Sequence, residues 1–261
     1  MKIATWNVNS IRTRLQQVTH WLQHQPVDVL CLQETKVVDE GFPVAAFEPL
    51  GYHAYVYGQK AYNGVAILSR APLDHVSRGF AAVIDPDQVG DLDEQKRVIM
   101  GLFQGVCIVN LYVPNGASVG SEKYEYKLRW LSLLKQYLSD LLSENPALLV
   151  CGDFNIALED RDIHDPTHKQ THIMASPTER AALQQILTLG LQDAFRKFTP
   201  DGGHYSWWDY RAASFRRNLG WRIDHHYLSA ALYERAKSCV IDVSPRQLEK
   251  PSDHAPVIVE I

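Results

Sequence analysis

The sequence lacks the features that would mark a secreted, membrane or fibrous protein. Its four cysteines, Cys31, Cys107, Cys151 and Cys239, are widely spaced, with no C-x-x-C pair. That excludes zinc-finger spacing and makes a disulfide framework unexpected. Three of them lie in apolar runs, where a free thiol acts as a small hydrophobe. No apolar run approaches the ~20 residues that cross a bilayer; residues 147–151 are typical of the longest. Residues 1–7 carry one Lys and no extended apolar core, so no secretory signal is expected. There is no Gly/Ser linker, no low-complexity stretch and no repeat at a solenoid period. No G-x-G-x-x-G follows the first strand and no G-x-x-x-x-G-K-[ST] occurs, which disfavours a simple nucleotide-binding fold. The absence of G-x-S-x-G disfavours a serine hydrolase.

What is present suits a globular enzyme. Of the 261 residues, 46% are hydrophobic and 21% charged, which excludes a disordered chain. The 26 Lys and Arg against 30 Asp and Glu leave a net charge of −4, an excess that a cluster of metal-binding carboxylates can supply. Residues 1–261 read as a single domain. Strand patterns fall at residues 2–8, 27–32, 52–57, 64–69, 98–103, 107–113, 147–151, 205–208, 223–228 and 255–261. Helical spacing joins Leu15, Val18 and Leu22, and again Leu131, Leu134, Leu138, Leu141 and Leu142. A third helix is expected to start at Ser176, capped by that residue, with Pro177 in its first turn and Glu179 closing a capping box. Its core face is Ala182, Leu183, Ile186 and Leu187. This mixture predicts an α/β sandwich: two β-sheets packed face to face and flanked by helices.

Several apolar strands end abruptly in a carboxylate or amide. Ile3-Ala4-Thr5-Trp6 runs into Asn7-Val8-Asn9, and Val29-Leu30-Cys31-Leu32 into Gln33-Glu34-Thr35-Lys36. Leu148-Leu149-Val150-Cys151 runs into Gly152-Asp153-Phe154-Asn155, and Ser252-Asp253-His254 precedes the last apolar strand. One such junction is an ordinary turn or cap. Four together point to a site assembled at one edge of the sheets. Glu34 with Asn7 or Asn9 offers hard oxygen ligands to Mg²⁺. Asp153 and Asn155 alternate along the chain, so one can act on a water while the other donates to a phosphate oxygen. His254 can stabilise negative charge on a phosphoryl group. A partner must fix its tautomer, and Asp224 is the best candidate, leaving Asp253 free to act near the metal.

Residues 204–222 concentrate Tyr205, Trp207, Trp208, Tyr210, Phe215 and Trp221 with Arg211, Arg216, Arg217 and Arg222, against the single acid Asp209. Arginines on phosphates and aromatics against bases would make this a nucleic-acid surface. Two histidine groupings read as structural instead. His164, His168 and His172 have helical metal-ligand spacing, but Pro166 and polar neighbours predict a solvated loop. His225-His226 reads as a pair of packed or hydrogen-bonded strand histidines.

In order along the chain come Trp6-Asn7-Val8-Asn9, Leu32-Gln33-Glu34-Thr35-Lys36, Asn63-Gly64-Val65-Ala66, Lys96-Arg97-Val98-Ile99, Tyr112-Val113-Pro114-Asn115-Gly116, Gly152-Asp153-Phe154-Asn155, Trp221-Arg222-Ile223-Asp224 and Ser252-Asp253-His254-Ala255-Pro256. From residue 2 to the C-terminus the chain resembles the exonuclease III family of AP endonucleases. Glu34, the Gly-Asp-x-Asn segment and the Ser-Asp-His segment alone would mark only the wider endonuclease/exonuclease/phosphatase superfamily.

The resemblance implies a deoxyribonuclease I-like four-layer α/β sandwich, and Mg²⁺- or Mn²⁺-dependent hydrolysis of duplex DNA on the 5′ side of an abasic site. It also implies 3′→5′ exonuclease and 3′-end-cleaning activities. Carried over residue by residue, Glu34 is the main metal ligand, with Asn7 and Asn9 alongside and Asp253 nearby. Asp153 activates water or protonates the leaving oxygen. Tyr112, Asn155 and His254 hold the scissile phosphate, and Asp224 orients His254. Asp153 and Asn155 also enter the candidate metal shell. Trp207, Trp221 and Ile223 line the abasic pocket; Arg97, Tyr62 and Arg222 are expected at the DNA. At residue 9 some members of the family carry Asp. Residues 116–127 differ from the human-type enzyme, and Lys123 is only a weak counterpart of the arginine found there. Double-stranded DNA with abasic sites or 3′ ends is the expected partner of a monomeric, cytoplasmic enzyme, nucleoid-associated if bacterial. The rival reading is a superfamily phosphoesterase specialised for 3′-phosphate ends or a small phosphoester; the aromatic and basic stretch weighs against a small substrate.

Overall fold

The computed structural model describes residues 1–167 and 171–261. Its strands are β1 (Lys2–Asn7), β2 (Val29–Gln33), β3 (His53–Tyr57), β4 (Val65–Ser69), β5 (His75–Arg78), β6 (Val98–Phe103), β7 (Val106–Tyr112), β8 (Leu148–Asp153), β9 (Gln192–Asp193), β10 (Asp224–Leu228), β11 (Ser238–Ile241) and β12 (Val257–Glu260). The α-helices are α1 (Ile11–His24), α2 (Pro86–Val89), α3 (Glu122–Glu144), α4 (Pro177–Leu187), α5 (Ala194–Phe198) and α6 (Ala230–Arg235). The strands form two six-stranded sheets, ordered β11-β12-β1-β2-β4-β3 and β5-β6-β7-β8-β10-β9. Each has one parallel pair, β1 with β2 and β7 with β8, and in each case a helix returns the chain across the outer face.

Strand alternation sorts side chains between layers. On β2, Val29 and Cys31 face the space between the sheets while Leu30 and Leu32 face outward beneath α1. On β8, Leu149 and Cys151 face inward, and Leu148 and Val150 pack outward under α3 and α4. Along five central strands the inward row turns polar at the same end of the sandwich: Ile3-Thr5-Asn7, Val29-Cys31-Gln33, Ile108-Asn110-Tyr112, Leu149-Cys151-Asp153 and, running the other way, Leu228-His226-Asp224.

The sandwich, the two long helices and the cap at Ser176 follow the sequence pattern. The capping box joins Ser176 and Glu179, with Pro177 in the first turn. Residues 205–208 are a correction. They form single bridges, Trp207 to Trp221 and to His254, because the segment crosses the end of the sandwich rather than joining a sheet. The loop around His164 and His172 is exposed at both histidines, as expected, and departs from a solvated loop only at Asp162 and Ile163, which are buried. His168 is outside the described residues. All four cysteines are free and buried, and no helix among the described residues is long and apolar enough to cross a membrane.

Candidate active site

Strand register assembles the site. Tyr112 lies opposite Asp153, and Asp153 opposite Asp224, so three polar residues form one row across the second sheet. In the first sheet Asn7 pairs with Gln33, and Glu34 follows directly. Glu34, Lys36, Asn9 and Asn155 all have positive φ, at 50°, 56°, 44° and 48°. Left-handed non-glycine residues are uncommon, and these four sit on turns that leave the strands at the polar end.

The Asn7 amide joins the two sheets, Nδ2 donating to Glu34 Oε1 at 2.8 Å and to Asp153 Oδ2 at 2.9 Å. Lys36 Nζ lies 2.8 Å from Glu34 Oε2 and donates to Asn9 Oδ1 at 2.6 Å. Asn9 Nδ2 donates to Asp253 Oδ1 at 3.0 Å, and Trp207 Nε1 to Asp253 Oδ2 at 3.0 Å. His254 Nδ1 lies 2.9 Å from Asp224 Oδ2, and its Nε2 lies 3.7 Å from Asp153 Oδ2. Ser206 donates from Oγ to Asp224 Oδ2 at 2.6 Å and accepts from the Ile223 and Asp224 amides. The Ser252 hydroxyl secures the last strand by donating to Asn7 O at 2.7 Å and accepting from His254 N.

These contacts set the charges. Burial pushes the Asp153 carboxyl up to about 7; Asp224 adds to the rise while His254 opposes it. Burial works against a charge on His254, but Asp224 and Asp153 on either side outweigh it and raise its pKa to about 10. The two carboxylates thus favour the charged form of the ring, whose Nε2 faces Asp153. Burial also opposes the charge on Glu34, yet the Lys36 ammonium and the Asn7 amide hold it below the usual range. Tyr112 is raised well above its ordinary value by burial and then by Glu34, so it stays a neutral donor.

Glu34, Asp153 and His254 bring their side-chain oxygen and nitrogen atoms within 4.8 Å of one another, and the two carboxylates are the groups that can ligate a cation there, since the charged form favoured at His254 has no free lone pair. A metal suits this group, with the Asn7 and Asn9 amides beside it. The oxygens of all four other expected ligands already accept hydrogen bonds, Asn7 Oδ1 from Asn9 N and Asn9 Oδ1 from Lys36. Both Asp253 oxygens accept hydrogen bonds from Asn9 and Trp207, and the Asn155 amide oxygen accepts from Asn115 at 3.1 Å.

Two depressions flank the group. An apolar cavity of about 350 Å³ is lined by Trp207, Trp221, His172, Ile173 and Met174, among others, and His172 stacks on Trp221 with 5.7 Å between centroids. A groove of about 560 Å³ runs past Tyr112, Arg97, Tyr62, Asn115 and Lys123. Arg97 lies over the Tyr112 ring and donates to Tyr112 O, while Tyr62 is 70% exposed.

Two expected DNA residues are placed otherwise. Arg222 is fully buried, its guanidinium donating to Asp162 Oδ1 and Asp193 Oδ2 at 2.7 Å each. It is a structural cation under the pocket wall. Ile223 is 1% exposed and packs behind Trp221 with Ala157 and Met174, supporting the wall rather than lining the cavity. His225 Nδ1 meets Arg222, and Nε2 meets Ile156 O; His226 Nε2 meets Val257 O. Both are hydrogen-bonded strand residues, as their pattern predicts. Sequence reasoning missed Ser206, Lys36 and Asn115 as neighbours of the site. Lys36 and Asn115 lie inside segments already singled out; Ser206 had no signal beyond its place before Trp207.

Residues 4–254 match the family model described as the endonuclease/exonuclease/phosphatase family. Exodeoxyribonuclease III of Haemophilus influenzae is 36% identical, the alignment covering 100% of this chain and 99% of that protein. The 3′ phosphatase NExo from Neisseria, bound to a product DNA hairpin, is 43% identical with a TM-score of 0.95, covering 100% of this chain and 99% of the other. An AP endonuclease from Archaeoglobus fulgidus is 40% identical with a TM-score of 0.94, covering 100% and 99%.

Proposed function

Because the chain belongs to the endonuclease/exonuclease/phosphatase family and is a hydrolytic nuclease of the exodeoxyribonuclease III kind, we propose that it hydrolyses the DNA phosphodiester 5′ to an abasic site and also processes 3′ ends. One observation carries the reading. The Glu34–Asn7–Asp153 line and the His254–Asp224 pair meet beside an apolar cavity walled by Trp207 and Trp221. That cavity accommodates a sugar without its base, and such a sugar leaves the duplex more cheaply than an intact nucleotide. The groove past Arg97 and Tyr62 would carry the adjoining backbone.

Glu34, with Asn7 and Asn9 beside it, would hold Mg²⁺ or Mn²⁺, and the bound cation would supply charge to offset the phosphoryl oxygens. Asp153 takes the proton as water attacks phosphorus in line; its raised pKa suits proton exchange near neutrality. The phosphorus–O3′ bond breaks, and the O3′ atom picks up a proton to become the 3′-hydroxyl. The His254 ring and the Tyr112 phenol donate to phosphoryl oxygens, and the Asn155 amides hold the Asp153 carboxylate. Asp224 keeps the His254 Nδ1 proton in place.

A second reading, specialisation for 3′-phosphate ends, is favoured by the 43% identity to the 3′ phosphatase NExo. End-labelled duplexes, one with a central abasic site and one with a 3′-phosphate, separate the two. Each is incubated with protein in Mg²⁺, in EDTA, and with Asp153→Asn. Mg²⁺-dependent cutting at the lesion, lost in the variant, supports the first reading. Release of phosphate without incision supports the second, and no reaction on either duplex removes both.

A further inference from the structure

Behind the site lies an ion pair that the chemistry above does not use. Lys127, on α3, and Glu179, on α4, have side chains with 0% exposure, and Lys127 Nζ meets Glu179 Oε1 at 2.5 Å. The same ammonium donates to the backbone oxygens of Asn155 at 2.8 Å and Asn115 at 3.2 Å. All three of its hydrogens are thereby used. Glu179 in turn accepts from Met174 N, Ser176 N and Ser176 Oγ, at 3.0, 3.1 and 2.6 Å.

Two buried charges are a poor way to add stability, since their desolvation can cancel their attraction and apolar residues of similar size often serve as well. The cost is better matched to geometry. The two carbonyls that Lys127 holds belong to different turns, one following β7 and the other following β8. Those turns are also joined on the site side, where Asn115 Nδ2 donates to Asn155 Oδ1 at 3.1 Å. Asn155 has a φ of 48°, a left-handed conformation that persists only when its surroundings over-determine it. Its Nδ2 donates to Val113 O at 3.0 Å, so the side-chain direction depends on the same two turns.

Asn155 holds Asp153 in turn, its backbone N–H donating to Asp153 Oδ1 at 2.9 Å and its Nδ2 to Asp153 Oδ2 at 3.4 Å. We propose that Lys127 is a positioning residue: its ammonium, held by Glu179, pins the Asn115 and Asn155 carbonyls and so fixes the Asn155 amides that orient the Asp153 carboxylate. This role rests on the proposed function, in which Asp153 takes the proton from water.

The test compares the parent with Lys127→Met, Glu179→Gln and the double variant Lys127→Met/Glu179→Met. Steady-state kinetics use whichever of the abasic or 3′-phosphate duplexes the parent turns over, and thermal unfolding is followed in parallel. Replacing both partners by methionine removes both charges together but strips the Asn115 and Asn155 carbonyls and the Met174 and Ser176 amides of these partners, so the double variant is expected to fold with a lowered Tm. The expected result is a kcat lowered roughly 10- to 100-fold by a misaimed Asp153 carboxylate. KM is expected to move less than about threefold, because the groove and cavity that bind DNA are untouched. A folded double variant with kcat within about threefold of the parent overturns the proposal and leaves the pair as packing. Glu179→Gln keeps the shape of the site and decides the matter if the methionine variants do not fold: a lowered kcat at unchanged KM upholds the proposal, and unchanged kinetics overturn it. A parent inactive on both duplexes is a different failure, that of the proposed function itself, and it removes the role of the pair as well.

Discussion

Gln33 Nε2 donates to Asn110 Oδ1 over 2.7 Å, joining the two sheets through two fully buried amides. Gln33 immediately precedes Glu34, and Asn110 lies one inward position before Tyr112. The contact therefore helps set how far apart the two halves of the site stand. Asn110 Nδ2 donates in turn to Leu32 O at 3.0 Å and Ala66 O at 2.9 Å, both on the opposite sheet.

Removing one member of this clasp should cost more than removing both. Asn110→Leu takes one acceptor from the Gln33 amide, which keeps Thr5 Oγ1 and Cys31 O, and removes the buried donor to Leu32 O and Ala66 O, a loss of about 1–3 kcal/mol. Gln33→Leu/Asn110→Leu takes away both polar groups and should recover part of that loss. Urea unfolding of the three proteins checks the order; a double variant no more stable than Asn110→Leu would count against it.

Asp224→Asn should leave the fold intact and cripple the reaction. The amide can offer an N–H to His254 Nδ1 where the carboxylate accepts one, which inverts the ring's tautomer. Removal of such an orienting carboxylate lowers kcat on the order of 10²- to 10⁴-fold. Single-turnover incision of an abasic duplex, with Tm as the control, measures it. A loss below tenfold would mean that His254 finds its orientation elsewhere.

The buried Arg222 cluster should govern acid stability. Burial alone would raise the Asp162 carboxyl, but the Arg222 guanidinium outweighs it and brings the pKa down to about 2. A carboxylate held below its ordinary value of about 3.9 stabilises the fold at any pH above that value, and the gain is lost as pH falls toward 2. The difference is worth about 2 kcal/mol. Asp162→Asn should therefore be less stable at pH 7 and show a flatter decline between about pH 4 and pH 2. Denaturant unfolding across that range would reveal a parallel decline if Asp162 carried no such coupling.

Arg97 and Arg222 should part company in DNA binding. Arg97 lines the groove, so Arg97→Gln should weaken binding and reduce the salt dependence of log K by roughly 0.9 if it neutralises one phosphate. Arg222→Met should leave that slope unchanged in whatever fraction folds, because its charge is already matched by Asp162 and Asp193. Fluorescence anisotropy with Asp153→Asn as the background, over a salt series, reads both slopes.

Much of this was legible in the sequence, and the exceptions have physical causes. Abrupt ends of apolar runs in Asn7, Glu34, Asp153 and His254 marked the polar end of the sandwich, since a strand that turns polar has reached the edge of its core. The edge strands β5 and β11 were not marked: both are four residues long and only partly buried, so neither carries a clear alternation. Arg222 looked like a DNA contact because its partners, Asp162 and Asp193, are remote in sequence. Lys127 was discoverable. It lies four residues before Leu131 and seven before Leu134, on the apolar face of α3, and a lysine on a core face requires a buried partner. The capping-box glutamate supplied one, a second duty that no local pattern could display.

The pairing of β1 with β12 carries a consequence for how the enzyme comes into being. Lys2 lies opposite Glu260, and Asn7 receives the Ser252 hydroxyl. β1 therefore gains its second neighbour only once a segment 245 residues beyond Asn7 has been made. Such long-range pairing is slow to form. His254 arrives with that late strand, so a nascent or C-terminally clipped chain holds Glu34 and Asp153 without their imidazole partner. Hydrolytic power would be withheld until synthesis has passed residue 254, and a truncation before Ser252, which also removes the strand between β1 and β11, should yield a protein that neither cuts DNA nor folds stably.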